Sequence, residues 1–236
     1  MGARRKLFRI LSVAAILGLK FVPAPLHAQT VQPLIAEYKA HGEGRFEVTN
    51  NSLTPMVVLL EPRSFTITPE GKGIYRELDS TIHVDLSTSS LKLAPHQTAY
   101  VFYKADSEML PAWFTIYATF SSPVHTAGLD MRIMLPHTVY LYQEYPLAEK
   151  DVTVSDVTYH AATGKLEVSL ENDGYSLGRV QEVHGIGGHG EAEGAGFPLL
   201  PHGKRELELA WNGKEPPSEL SFRFDHFTLK RPVSRQ

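Results

Sequence analysis

Leu129-Asp130-Met131-Arg132-Ile133-Met134-Leu135-Pro136 places an apolar side chain at every second position up to a proline. Neighbours in an extended strand point to opposite faces, so Leu129, Met131, Ile133 and Leu135 share one face. Asp130, Arg132 and Met134 share the other. Two readings of the apolar face are open. It packs into its own domain, as period-two faces usually do, or it is offered to another chain. Pro136 favours an edge strand or a bulge, because proline cannot donate a ladder hydrogen bond.

The pattern continues on both sides. Short alternating or β-branched runs occupy residues 45–48, 56–61, 64–68, 81–86, 99–103, 113–120, 129–135 and 138–142. A second group covers residues 152–159, 165–170, 178–184, 204–210 and 220–229. Asn50-Asn51-Ser52, Pro69-Glu70-Gly71, Asn172-Asp173-Gly174 and Asn212-Gly213 supply turns between them. Long 3.6-residue periods are hard to find after residue 30. So many short strands predict an all-β protein built from β-sandwiches. Glu144, Pro146, Glu149 and Lys150 interrupt the apolar pattern near residues 143–150. The expected domains are therefore residues 29–145 and 150–236, each large enough for its own core. Both carry an apolar pair, a proline and a polar turn ahead of a strand, at residues 91–97 and 197–203. That grammar reads as turn chemistry. In residues 113–120, Phe114, Ile116 and Ala118 are expected to face inward, with Trp113 or Tyr117 on the outer face.

Residues 1–28 read as a signal peptide. Arg4, Arg5, Lys6 and Arg9 precede an apolar stretch at residues 10–19, followed by Pro23, Pro25 and a cleavage-compatible Ala28. The apolar stretch is short for a bilayer, and no later segment is long and apolar enough to span one. The 236 residues carry a net charge of −3. Residues 1–28 hold five basic and no acidic side chains, so the remaining 18 basic and 26 acidic residues give −8. An acidic mature chain lacks the footprint of a nucleic-acid binder or of an anionic-lipid binder. The absence of cysteine excludes disulfides, thiol nucleophiles and cysteine-ligated metals.

Several ordered pieces resemble one family. They are Phe46-Glu47-Val48-Thr49-Asn50, Pro55-Met56-Val57-Val58 and Phe65-Thr66-Ile67-Thr68-Pro69, then residues 91–97 with the run 100–103. Leu110-Pro111-Ala112-Trp113-Phe114 follows, and residues 129–135 precede Val139-Tyr140-Leu141-Tyr142. This order resembles the N-terminal Ig-like domain of PapD-type periplasmic pilus-assembly chaperones. Gly164-Lys165-Leu166-Glu167-Val168 and Asn172-Asp173-Gly174 resemble that family's C-terminal domain. The resemblance implies two Ig-like sandwiches, a periplasmic location, no enzymatic activity and no cofactor. It implies exported pilus or fimbrial-type subunits as partners, with an outer-membrane assembly protein as a further one. It also implies ATP-independent donor-strand complementation, in which the chaperone lends a strand to a subunit that lacks one. Leu129, Met131, Ile133 and Leu135 would then form the client-binding strand, and Arg132 and His137 are candidate polar contacts.

The departures are specific. The family holds the client's C-terminal carboxylate with an Arg from its first strand and a Lys from its last. Here Arg132 and His137 are the only basic residues between 128 and 147, and Lys39 and Arg45 do not align convincingly with the first-strand Arg. Tyr142-Gln143-Glu144 replaces a Tyr-Arg-Pro ending. Residues 70–90 read as an insertion. A scaffold or adhesion module of the envelope, also non-enzymatic, is the alternative function. His184, His189, Glu191 and Glu193 match zinc chemistry in type only, because the intervening glycines fix no geometry, so no metal site is expected. No nucleophile elbow occurs.

Overall fold

The computed structural model describes residues 28–122, 132–187, 190, 192–213 and 215–235. In chain order the strands are β1 (Thr30–Gln32), β2 (Ile35–Lys39), β3 (Gly42–Thr49), β4 (Met56–Ile67), β5 (Gly73–Glu77), β6 (Ile82–Leu86), β7 (Ser90–Leu93), β8 (Thr98–Ser107), β9 (Ala112–Ser121) and β10 (Arg132–Tyr142). They continue with β11 (Val152–Val154), β12 (Val157–His160), β13 (Lys165–Asn172), β14 (Gly178–Ile186), β15 (Glu193–Leu199), β16 (Lys204–Ala210), β17 (Glu219–Arg223) and β18 (Thr228–Arg235). The all-β expectation holds.

Burial alternates with position along β8. In β8, Val101, Tyr103 and Ala105 are buried while Tyr100, Phe102 and Lys104 face solvent. In β9, Phe114, Ile116, Ala118 and Phe120 all point inward and are fully buried. One sheet has the order β1-β3-β8-β6, and a second has β2-β10-β9-β4-β5 with β7 also on β4. Phe46, Val48, Val58, Val101, Phe114, Ile116, Phe120, Val139 and Leu141 fill the space between them. Residues 152–235 form one folded sheet around a separate core that includes Val157, Leu166, Leu170, Val180, Leu220 and Phe222. Apolar alternation thus closes each group of strands on itself, which is the sandwich solution.

Residues 70–90 are regular framework. β5 pairs with β4 in one sheet, and β6 pairs with β8 in the other. The long β4 shares its outer edge between β7 at residues 56–59 and β5 at residues 63–67. Pro62 sits in the gap. Leu60 N–H donates to Ser89 O, so by alternation the donor that Pro62 lacks faces the gap rather than β9.

The repeated grammar is a shared device. Asn50 Nδ2 donates to the carbonyls of Thr54, Leu93 and Ala94. Asn172 Nδ2 donates to those of Ser176, Leu199 and Leu200. Both asparagines are fully buried. Each ties the turn after one strand to the corner before another. The following histidine, His96 or His202, takes a positive φ. A third cluster of Phe65, Tyr140, Leu177 and Leu200 joins the outer face of the second sheet to residues 177–200. Glu206 N–H donates to Pro69 O at 2.7 Å across the same seam.

Candidate functional site

β10 has two unlike halves. β9 pairs with it along residues 132–141. On the other side, β2 pairs in parallel only with residues 138–142. Among the described residues no strand takes the outer edge of residues 132–137. Thr138 N–H donates to Leu34 O and Tyr142 O accepts from Ala40 N–H, so even-numbered residues aim their backbone groups at that side. The open half therefore turns the N–H and carbonyl of Met134 and the carbonyl of Pro136 outward. Pro136 costs no bond to β9, because its missing donor faces away from β9. Ile133 and Leu135 share a face with His137, Val139 and Leu141, and they pack half-buried on the edge of the first core. Met134, on the opposite face, is 55% exposed.

Behind this edge lies a buried polar chain. His137 is fully buried and stacked on Phe46, with ring centroids 4.6 Å apart. Its Nδ1 lies 2.7 Å from Pro33 O, and a carbonyl only accepts, so Nδ1 carries the proton. Nε2 accepts from the Tyr103 hydroxyl at 3.0 Å, and that oxygen accepts from Tyr38 at 2.9 Å. Burial pushes the histidine pKa down, only partly opposed by the bond to Pro33. Burial also raises the Tyr103 pKa, so the phenol stays a donor.

Where the strands of residues 30–142 meet those of residues 152–235, a cleft of about 290 Å3 is lined by Glu37, Lys39, Tyr142, Gln143, Arg179 and Phe224, among others. Arg179 Nε donates to Glu37 Oε1 at 2.9 Å, and the Tyr142 hydroxyl donates to the same oxygen at 3.0 Å. The guanidinium lies over the Tyr140 ring, 5.6 Å from its centroid. Burial pushes the Tyr140 hydroxyl pKa up to about 12. Gln143 donates to Leu177 O and accepts from Leu177 N–H, which locks the start of the connector.

No family model matches the chain, and no curated protein does. Solved structures do. The SafB chaperone of Salmonella enterica, solved in complex with the SafA pilin, shares 12% identity and superimposes with a TM-score of 0.53, over 89% of this chain and 98% of that one. The class 5 fimbriae chaperone CfaA gives 0.52 at 10% identity, over 88% and 99%. The E. coli chaperone DraB gives 0.51 at 11%, over 88% and 98%. The chain has the PapD-like fold of the fimbrial chaperones.

Within the fimbrial-chaperone fold the residues singled out in sequence fall as follows. Leu129 and Met131 lie outside the described residues. Ile133 and Leu135 lie on the open half of β10, together on one face. Arg132 begins β10 and is exposed. His137 is placed differently from a client contact: it is enclosed, and both ring nitrogens are engaged within the chain. Arg45 lies over Tyr100 on the outer face of the first sheet, 5.0 Å from the ring centroid and away from the cleft. Lys39 does line the cleft. Sequence reasoning missed Arg179, a half-buried cation of the cleft, because nothing in its run marks it off from an ordinary strand arginine. His184 pairs with Glu193 across β14 and β15, whereas His189 and Glu191 lie outside the described residues. Among the described residues no three His, Asp or Glu side chains converge as metal ligands, and no helix is long and apolar enough to cross a membrane.

Proposed function

We propose that this chain is a non-enzymatic, ATP-independent periplasmic chaperone that takes exported pilus or fimbrial-type subunits by lending them the open half of β10. The observation that carries the reading is that edge. Among the described residues, 132–137 are paired on one side only, and they alternate Ile133 and Leu135 with exposed positions in a chain with the fold of fimbrial chaperones. Unpaired backbone groups supply hydrogen bonds to an incoming strand, and alternate side chains fill the groove of a subunit that lacks one. Leu129, Met131, Ile133 and Leu135 are the donor face in this reading. Burying one such side chain contributes roughly 1.5–3 kcal/mol before ordering and association costs. That suffices to hold and hand on a subunit without bond chemistry. The sandwiches of residues 29–145 and 150–236 act as a rigid frame, and residues 1–28 direct export.

The test is capture of a strand-deficient pilin subunit co-expressed in the periplasm. The wild type is expected to bring it down one to one. The Met131→Asp/Ile133→Asp double variant, shown by circular dichroism to be folded, is expected to lose it. A double variant that unfolds would assign those residues to the core and end the donor reading.

A further inference from the structure

The buried chain of His137, Tyr103 and Tyr38 has no part in the reading above, and its geometry gives it one. The segment of residues 30–39 starts in the first sheet as β1 and continues in the second as β2. Where it crosses decides how much of β10 it covers. Two hydrogen bonds hold the crossing point: His137 Nδ1–H to Pro33 O at 2.7 Å, and Thr138 N–H to Leu34 O at 2.8 Å. Through Tyr103, His137 also reaches the hydroxyl of Tyr38, which lies on β2 itself. The segment is therefore gripped twice, once just before β2 and once within it.

The site is built to fit this chain. A Cβ on Gly42 would lie 2.6 Å from the Tyr38 ring, and one on Gly44 would overlap the Tyr38 hydroxyl. The bare backbone of β3 leaves the room. Apolar side chains would fill the same space without desolvating an imidazole and two phenols. What apolar contact does not supply is direction. A strand held by non-directional packing slides in steps that keep its faces, whereas a hydrogen bond to one named carbonyl admits a single register.

We propose that His137 is a positioning residue: it fixes the register of the β1–β2 crossover and so sets the length of β10 edge left open. That length would limit how far an incoming strand can pair. The inference rests on the donor-strand reading for the use of the edge, but the pin is a property of the free chain.

Amide hydrogen exchange on the free protein tests it. In the wild type, the amide of Met134 is expected to exchange fast and those of Thr138 and Tyr140 slowly. His137→Leu removes both ring bonds and is expected to speed Thr138 by about tenfold or more, while Val139 and Leu141, which bond toward β9, stay protected. His137→Asn can place its Nδ2–H where Nδ1–H was, and is expected to restore protection at Thr138. Tyr103→Phe keeps the ring and the His137 bond to Pro33 but removes the bonds of the Tyr103 hydroxyl to His137 Nε2 and Tyr38, and is expected to give a smaller rise at Thr138. It serves as the second variant if His137→Leu does not fold. Unchanged Thr138 exchange in the folded variants would overturn the proposal. Equal loss of protection at Val139 and Leu141 would make His137 a general core residue and overturn it too. An asparagine variant no better than leucine would do the same. Subunit capture by the wild type is read separately, so failure of the donor reading and failure of the pin are distinguishable.

Discussion

Asn172 shows how much one buried side chain can organise. Its Nδ2 donates to three carbonyls, and its oxygen accepts from Gly174 N–H at 3.0 Å. Removing the amide strands those buried groups, and each unsatisfied buried acceptor costs about 1–3 kcal/mol. Asn172→Ala is expected to lower unfolding stability by roughly 2–4 kcal/mol in denaturant titration, with partial relaxation keeping the sum below the maximum. Asn172→Asp should be no milder, because a carboxylate cannot donate to carbonyls. His137 makes a different prediction. Its folded pKa lies below the ordinary 6.5, so below that pH the unfolded chain binds a proton that the folded chain refuses. Stability is then complete above pH 6.5 and falls as pH drops toward the folded pKa, by at most about 1.4 kcal/mol per pH unit. His137→Asn should flatten this slope relative to wild type in thermal melts between pH 5 and about 7.

At the scale of the element, β10 combines two requirements within eleven residues. Its second half is an interior strand between β9 and β2, and its first half is an edge. A free edge normally invites unwanted pairing, and proteins blunt it with charge, proline or cover. Here Pro136 removes one outward donor next to the crossover, and Arg132 places a charge near the far end. The two faces should respond oppositely to the same charge. Ile133→Asp puts a carboxylate on the donor face and is expected to lower subunit capture at least about tenfold, given roughly 1.5–3 kcal/mol for the lost burial. Met134→Asp puts it on the already exposed face and is expected to leave capture near wild type. Equal losses from both variants would show that the strand faces are not read separately. β4 repeats the same logic of proline at a gap, with Pro62 between its two edge partners.

For the whole molecule, the seam between the two groups of strands determines how the β10 edge and the cleft stand relative to each other. It combines an apolar patch of Phe65, Tyr140, Leu177 and Leu200 with the Glu37–Arg179 pair and the Pro69–Glu206 bond. Arg179 is 12% exposed but Glu37 is 39% exposed, so solvent screens the pair. A double-mutant cycle with Glu37→Ala and Arg179→Ala is expected to give a coupling of about 0.5–1.5 kcal/mol in unfolding stability. Zero coupling would leave the apolar patch and the backbone bond as the seam's holding forces. Of the two cations that line the cleft, Arg179 bonds Glu37 through Nε, and Lys39 stands on β2 beside it.

Local chemistry determined most of the architecture. Alternation in residues 113–120 put Phe114, Ile116 and Ala118 on one inward face, because a strand's period of two places them together. Turn asparagines and prolines placed the corners, because they carry their own backbone preferences. The sequence of residues 70–90 does not say that two of their strands join different sheets. The burial of His137 was equally hidden. Its neighbours in sequence do not reveal that Phe46, Tyr103 and Pro33 converge on it from three other parts of the chain. Arg179 meets Glu37 for the same reason, across a sequence separation that no local pattern spans. Periodicity and turn chemistry act between near neighbours and can be read along the chain. Which strand half stays open, and which polar groups are buried together, depends on pairings between distant segments, and those exist only once the sheets have closed.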